Sequence, residues 1–402
     1  MNESDLSGSG PMVGRRRAKA LPFAALLLAT AFFRSTQNAV QTTIGPFGHI
    51  LLKLSPSIVG FGITLAGGIG ALANIWLARR LRSLRLRLVA LAGLVGISFA
   101  ISVVVLGSSL PTYLISAVIF GASGGLVTTV LATMASQVPG VARDRALSAY
   151  TVALSASLAL GPFLESLVLR ASGGSLKLAI LSFLPLPLLA SALLFLVVSD
   201  VRQSTEIDLA ASFPAHVLKN PHLRQAIVAL VLYQVPFVAI TSFGALIADY
   251  SYGASISLAQ LSFSTFFVVS LTTRSMLVWK PPGRRRVLVL RLAALVTLAG
   301  VLVLGFGHGL IWLMVAMAIL GVPHGLVFPV SLSLVAASTS SRDLTKANAL
   351  LFAITSSVSV VIPFVLGVIA SYFGYREMSL LVFVPVFILA AMLFRTKVDT
   401  LV

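Results

Sequence analysis

Cysteine is absent from the 402 residues, which excludes disulfides, thiolate metal sites and cysteine nucleophiles. Charge is scarce as well: Asp, Glu, Lys and Arg together make up 10% of the chain, against about 25% in an ordinary soluble domain. Acidic residues are the rarest of these, 11 against 29 basic ones. Three signatures are also missing. There is no Gly-x-x-x-x-Gly-Lys phosphate loop to support ATP-driven work, no His-Glu-x-x-His metalloprotease motif and no potassium-channel filter sequence. No acid and base recur at one depth of the apolar segments, which argues against an intramembrane enzyme. We therefore expect no enzymatic activity, no cofactor and no metal.

What is abundant is apolar sequence. Hydrophobic residues account for 58% of the chain and the mean hydropathy is +1.02. Several apolar runs reach 20 residues or more, the length that crosses a bilayer as a helix. The fold class expected is an all-α polytopic membrane protein, with the lipid bilayer as its first partner. A net charge of +18 would otherwise suggest a nucleic-acid binder. Here the positive charges sit in short clusters between apolar spans, where they set orientation instead, so no nucleic-acid partner is expected.

Twelve spans are predicted, at roughly 20–42, 56–78, 88–108, 111–136, 146–169, 178–198, 223–247, 257–279, 287–307, 310–336, 347–371 and 377–395. Arg15, Arg16, Arg17 and Lys19 before Leu21–Phe33 have the charge and apolar character of a signal peptide. Gln, Asn and Thr follow where small residues should mark cleavage, so the segment reads as an uncleaved first helix. With the N-terminus placed in the cytoplasm, the inside segments hold 23 Lys and Arg and the outside segments hold 4, namely Lys53, Arg170, Lys177 and Arg376. That asymmetry predicts cytoplasmic termini at both ends of a multi-pass protein of the plasma membrane.

The longest polar connection, Ser199–His222, divides the spans six and six. The organisation expected is a cytoplasmic tail at 1–19, a six-helix bundle at 20–198, a cytoplasmic linker at 199–222, a second bundle at 223–396 and a short tail at 397–402. Asn220-Pro221 reads as the end of an amphipathic segment on the membrane surface. The basic clusters Arg79–Arg87 and Lys280–Arg286 repeat about 200 residues apart. Asp144 and Asp343 echo one another in the connections before spans 5 and 11, each of which contains an internal proline, Pro162 and Pro363. Two parallel six-helix repeats are the arrangement of one transporter class.

At this point the chain resembles the major facilitator superfamily over nearly its whole length. Leu77-Ala-Arg-Arg-Leu-Arg-Ser-Leu-Arg85 sits where the family has a Leu-Ala-Asp-Arg-x-Gly-Arg loop. Arg143-Asp-Arg-Ala-Leu-Ser148 resembles its helix 4–5 loop, Leu160-Gly161-Pro162 its helix 5 antiporter motif, and Gly321-Val-Pro-His-Gly-Leu-Val-Phe-Pro329 its helix 10 pattern. The resemblance implies two six-helix bundles rocking about a cavity lined by helices 1, 4, 7 and 10. It also implies a drug/proton antiporter-type exporter, with protons as the coupling ion, working as a monomer. Two departures stand out. The family's loop aspartate is Arg79 here and its glycine is Arg82, so the usual cytoplasmic salt bridge is lost, with Arg80 and Asp144 as a substitute pair. The helix 4 arginine of drug antiporters falls at Ala117, in a span without charge.

The residues that carry chemistry are few, and an ionisable group inside a span is a functional candidate by default. Thr30, Arg34, Gln37, Asn38 and Gln41 fall within about 100° of one helix face, so span 1 carries a polar stripe that needs a cavity. Arg34 reads either as a substrate ligand or as an ion-pair partner of Glu165. Glu165 reads as the proton-coupling carboxyl or as a group reaching the outer interface near Arg170 and Lys177. His324, flanked by Pro323 and Gly325 as a gating pair, and Tyr233 and Gln234 on span 7 complete the candidate substrate-binding set, each with packing as the alternative. Gly161 and Pro162 join the gating candidates through the motif. Arg274 reads as snorkelling to the inner interface, and the Ser and Thr run of span 11 as close packing. The functions left open are proton-coupled export of a small organic molecule, exchange or import of an organic anion at Arg34, and a non-transporting receptor or assembly factor on the same fold.

Overall fold

A computed structural model describes residues 11–80, 85–138, 143–195 and 220–395, and every regular element among them is helical. Twelve helical spans are present: α1 Pro11–Pro46, α2 Pro56–Arg80, α3 Leu86–Gly107, α4 Leu110–Ala135, α5 Arg143–Ala171 and α6 Leu176–Phe195. There follow α7 Pro221–Tyr252, α8 Ile256–Trp279, α9 Arg286–Phe306, α10 Gly309–Ser338, α11 Ser341–Phe373 and α12 Tyr375–Arg395. Eleven of them are long and apolar enough to cross a membrane by length and composition alone. The remaining helix, α1, carries Arg34, Gln37, Asn38 and Gln41 after its apolar run.

Helix ends follow local chemistry. Ser109 and Thr112 form a reciprocal capping box at α4. Asn220 accepts hydrogen bonds from the His222 and Leu223 amides at 2.9 and 3.4 Å and donates to the Ser338 carbonyl at 2.8 Å. It therefore caps α7 and ties it to the end of α10, while the connection at 196–219, and with it the expected surface segment, lies outside the described residues.

Buried apolar residues fall into two clusters. One joins α1–α6 through residues such as Leu26, Phe33, Ile97 and Leu131, and the other joins α7–α12 through Phe243, Phe263, Phe266 and Val386. Packing repeats between the halves when each helix number is advanced by six. α1 packs on α5 and α6 as α7 packs on α11 and α12, and α4 packs on α2 and α3 as α10 packs on α8 and α9. The same operation exchanges two cross-half pairs, α2 with α11 and α8 with α5, and carries a third, α1 with α7, onto itself.

The register of this repeat is visible at its closest contacts. A Cβ on Gly121 would stand 2.1 Å from the Ala66 carbonyl oxygen, and one on Gly321 would stand 2.5 Å from that of Phe266. A Cβ on Gly125 would meet the Gly70 carbonyl at 2.5 Å, and one on Gly325 the Ser270 carbonyl at 2.5 Å. Every residue in the second member of each pair lies 200 positions after its counterpart. Glycine is required at all four because only a missing side chain lets the backbones approach this far.

The halves meet mainly at one end. The Ser57 amide donates to Ser371 Oγ at 3.0 Å, Thr64 Oγ1 donates to the Val360 carbonyl at 2.6 Å, and a Cβ on Gly60 would lie 2.3 Å from the Pro363 carbonyl. Across the other pair, the Ser166 and Ser257 hydroxyls are 3.2 Å apart and Gln260 Nε2 donates to Thr43 Oγ1 at 3.2 Å. These contacts lie where α1 and α5 finish and α2 and α8 begin, so that end is sealed.

Candidate functional site

A cavity of about 600 Å³ lies between the halves. Its wall runs along α2 from Gly62 to Asn74, a span of about 18 Å at 1.5 Å per residue. It continues over α1 (Arg34, Gln37, Gln41), α4 (Tyr113 to Thr128), α7 (Gln234), α10 (Phe328) and α11 (Thr355, Ser356, Ser359). Arg34 is the one charged side chain among the described residues that line it, and no carboxylate does. The polar remainder is dominated by carboxamides and hydroxyls, with apolar surface from Ile44, Phe120 and Val360.

The geometry of Arg34 is specific. Its Nη1 donates to Gln37 Oε1, one helical turn on, while its buried Nε has no partner. One edge of the guanidinium is therefore held by the protein and the other is left with donors to give. Gln234 enters from the opposite half, and its Nε2 donates to Ser359 Oγ at 2.6 Å. Asn74 accepts from Thr129 Oγ1 at 2.6 Å, which steadies a second amide on the wall.

Three predicted residues lie elsewhere. Asn38 is 5% exposed and donates through Nδ2 to the Leu158 carbonyl at 2.9 Å, so it braces α1 against α5. Tyr233 and His324 are brought together, the phenol hydrogen-bonded to the His324 Nδ1, but neither is on the cavity wall. The imidazole is stacked on Phe237 at 4.7 Å and touches Phe266 at 5.0 Å. Arg274 belongs to this cluster: it turns inward, with Nη1 3.3 Å from Ser155 Oγ on α5 and Nη2 3.5 Å from the His324 carbonyl. The snorkelling expectation for Arg274 is therefore replaced by a cross-half contact, made possible because α5 and α8 are neighbours.

Glu165 is fully buried where α5 faces α1, and neither carboxylate oxygen takes a hydrogen bond. Thr42 stands beside it, but its hydroxyl proton goes to the Asn38 and Ala39 carbonyls of its own helix. The ion pair with Arg34 is not formed. Nor does Glu165 pair with Arg170, whose Nε donates to Ser257 Oγ at 3.2 Å. Gly161 is a contact point of α1 and α5, with the Ser35 carbonyl 3.0 Å from where its Cβ would be, and Pro162 is the buried residue after it. Pro323 is buried in α10 beside the close contact at Gly325. Arg80 is exposed at the end of α2, and the Asp144 side chain that was to face it lies outside the described residues.

Sequence reasoning missed Asn74, and it assigned Thr355, Ser356 and Ser359 to packing although all three line the cavity. A usable signal existed in the 200-residue register, which pairs Asn74 with Arg274 and Arg34 with Gln234. Among the described residues no cluster of His, Asp and Glu has metal-binding geometry.

The model of the Major Facilitator Superfamily matches residues 23–307 and 282–400. The structure of the nucleoside transporter NupG is similar, at 12% identity, with a TM-score of 0.77 over 94% of this chain and 100% of that one. So is a bacterial homologue of the human lysosomal transporter Spinster in an inward-facing, unoccupied conformation. It shows 13% identity, 98% and 99% coverage and a TM-score of 0.75. A POT family transporter in complex with a thioalcohol-conjugated peptide shares 12% identity over 92% of this chain and 95% of that one, with a TM-score of 0.71. A search of curated proteins returned no significant match.

Proposed function

We propose, since this chain belongs to the major facilitator superfamily, that it is a secondary transporter carrying a small organic anion by alternating access. The observation that carries this reading is Arg34, the one charged side chain among the described residues that line the central cavity. A guanidinium held in a membrane-embedded cavity costs several kcal/mol unless it has a counter-charge, and no carboxylate on the wall supplies one. A bound carboxylate or similar acid would supply it. Gln37, Gln41, Asn74 and Gln234 offer hydrogen bonds for the rest of the molecule.

The moving bodies in this reading are the bundles 20–198 and 223–396, which part at the cavity and hinge at the sealed end. Glu165 is the coupling group. Its carboxyl lies where α5 faces α1, without a hydrogen bond or ion pair of its own. A carboxyl in that position exchanges protons with the bulk only when water reaches it. Opening of the sealed end would give that access, which couples protonation to the conformational cycle. The direction is export, as the antiporter-type resemblance implies, from a monomer in the plasma membrane with both termini cytoplasmic. The 23-to-4 distribution of basic residues supports that orientation.

Reconstituted vesicles test both parts. Counterflow of an organic anion should respond to an imposed pH gradient in the native protein, and Glu165→Gln should keep exchange while losing the response. Flux that ignores the gradient in the native protein would remove Glu165 from the mechanism and leave an anion exchanger at Arg34.

A further inference from the structure

Advancing a residue number by 200 carries one half onto the other at close backbone contacts, Gly121 and Gly125 of α4 against α2 matching Gly321 and Gly325 of α10 against α8. The same register relates the cavity wall to a region on the other side of the molecule. Asn74 and Thr355 face the cavity from α2 and α11. Their counterparts are Arg274 on α8 and Ser155 on α5, which touch one another at 3.3 Å. Gly124, also on the wall, has His324 as its counterpart. The residues that would line a second lobe are therefore present in the repeat, where the His324 ring is stacked on Phe237 and tilted against Phe266.

The charges matter more than the shape. Arg274 has an unpartnered Nε, and its two hydrogen-bond partners are a hydroxyl and a backbone carbonyl, both neutral. Arg34 is in the same condition, with Gln37 as its partner. Each half thus places one guanidinium, with no acid hydrogen-bonded to it, on the cavity face or its repeat-related counterpart. Uncompensated charges at this depth are costly, and the cost is removed if a ligand brings the opposite charge.

We propose that Arg274 is a second anion-binding residue of the transport path, so that the preferred substrate carries two acidic groups, one for each half. This rests on the anion reading of Arg34 and specifies it further. A dianion spanning the two lobes would bind when His324 leaves its stack. It would replace the Ser155 contact of Arg274 and hold both halves through the same molecule. A monoanion would reach Arg34 alone.

The test uses the purified full-length protein in detergent and thermal-shift titrations with two matched pairs, phthalate against benzoate and glutarate against butyrate. Bound ligand raises the transition temperature by mass action. The native protein should bind each dianion at least tenfold tighter than its monoanion. Arg274→Gln should abolish that advantage while leaving benzoate affinity within twofold, and Arg34→Gln should weaken all four ligands. Arg274→Lys, which keeps the charge, should retain part of the advantage and serves if Arg274→Gln does not fold. Equal affinity for mono- and dianions in the native protein, or an advantage that survives Arg274→Gln, overturns the proposal. If benzoate binding still depends on Arg34 in that case, the anion reading stands without it. Loss of all anion binding overturns both.

Discussion

Arg34→Lys keeps a positive charge at the cavity wall and removes the planar fork. In the native structure Nη1 is committed to Gln37 Oε1 and Nε is buried without a partner. A carboxylate bound in bidentate fashion would use the Nε and Nη2 edge, once Nε is uncovered, as two parallel donors. A lysine ammonium delivers a point charge and one well-directed hydrogen bond in that place. The loss is one charge-assisted hydrogen bond, about 1.5–3 kcal/mol. That corresponds to roughly 10- to 100-fold weaker binding of an organic anion. Benzoate titration by thermal shift reads the binding, and initial rates of counterflow in vesicles read transport, with KM rising more than the maximal rate falls. Arg34→Gln should lose more than Arg34→Lys, because it also removes the charge. An Arg34→Lys protein that binds benzoate within threefold of the native affinity would refute the bidentate geometry, and an Arg34→Gln protein that does so would refute the anion site.

Other substitutions probe the frame. The chain has no cysteine, so Ser57→Cys with Ser371→Cys can be introduced cleanly. Joining them at the sealed end, where the native pair is 3.0 Å apart from amide to hydroxyl, should stop counterflow until a reductant is added; full transport by the cross-linked form would argue against opening there. Gly125→Ala puts a methyl 2.5 Å from the Gly70 carbonyl and must push α4 from α2, at a cost of about 1–3 kcal/mol; an unchanged transition temperature would show that the helices yield freely. Asn38→Ala removes the bond to Leu158 and should lower stability by about 1 kcal/mol without changing anion affinity, since Asn38 is not on the cavity wall.

Much of the candidate site was legible because a bilayer makes polarity conspicuous. Arg34, Gln37 and Gln41 stand out on an otherwise apolar helix, and all three line the cavity. Asn38 lies on the same arc of the wheel and still turns away, because a 100° arc is wide enough to face both a cavity and a neighbouring helix. Its partner is the Leu158 carbonyl of α5, which has no helical donor because Pro162, four residues on, lacks an N–H, and a wheel drawn for α1 alone does not show it. Arg274 misled for a related reason. Its distance from the end of span 8 fits snorkelling, and only the adjacency of α5 and α8 turns it toward Ser155. Thr355 and Ser359 were read as packing, since hydroxyls serve both purposes in membrane helices.

The amino-acid sequence by itself determined the class of protein, the number of helical spans, the charge asymmetry across them and the six-and-six repeat. Those properties are one-dimensional: hydrocarbon thickness sets span length, and connections between spans collect the charge. Tertiary structure alone decided which polar residues share a cavity, which are spent on holding helices together, and that Glu165 and Arg34 stay apart. Those outcomes depend on how closely two backbones approach at glycines such as Gly121 and Gly321, and close approach is a property of both helices at once.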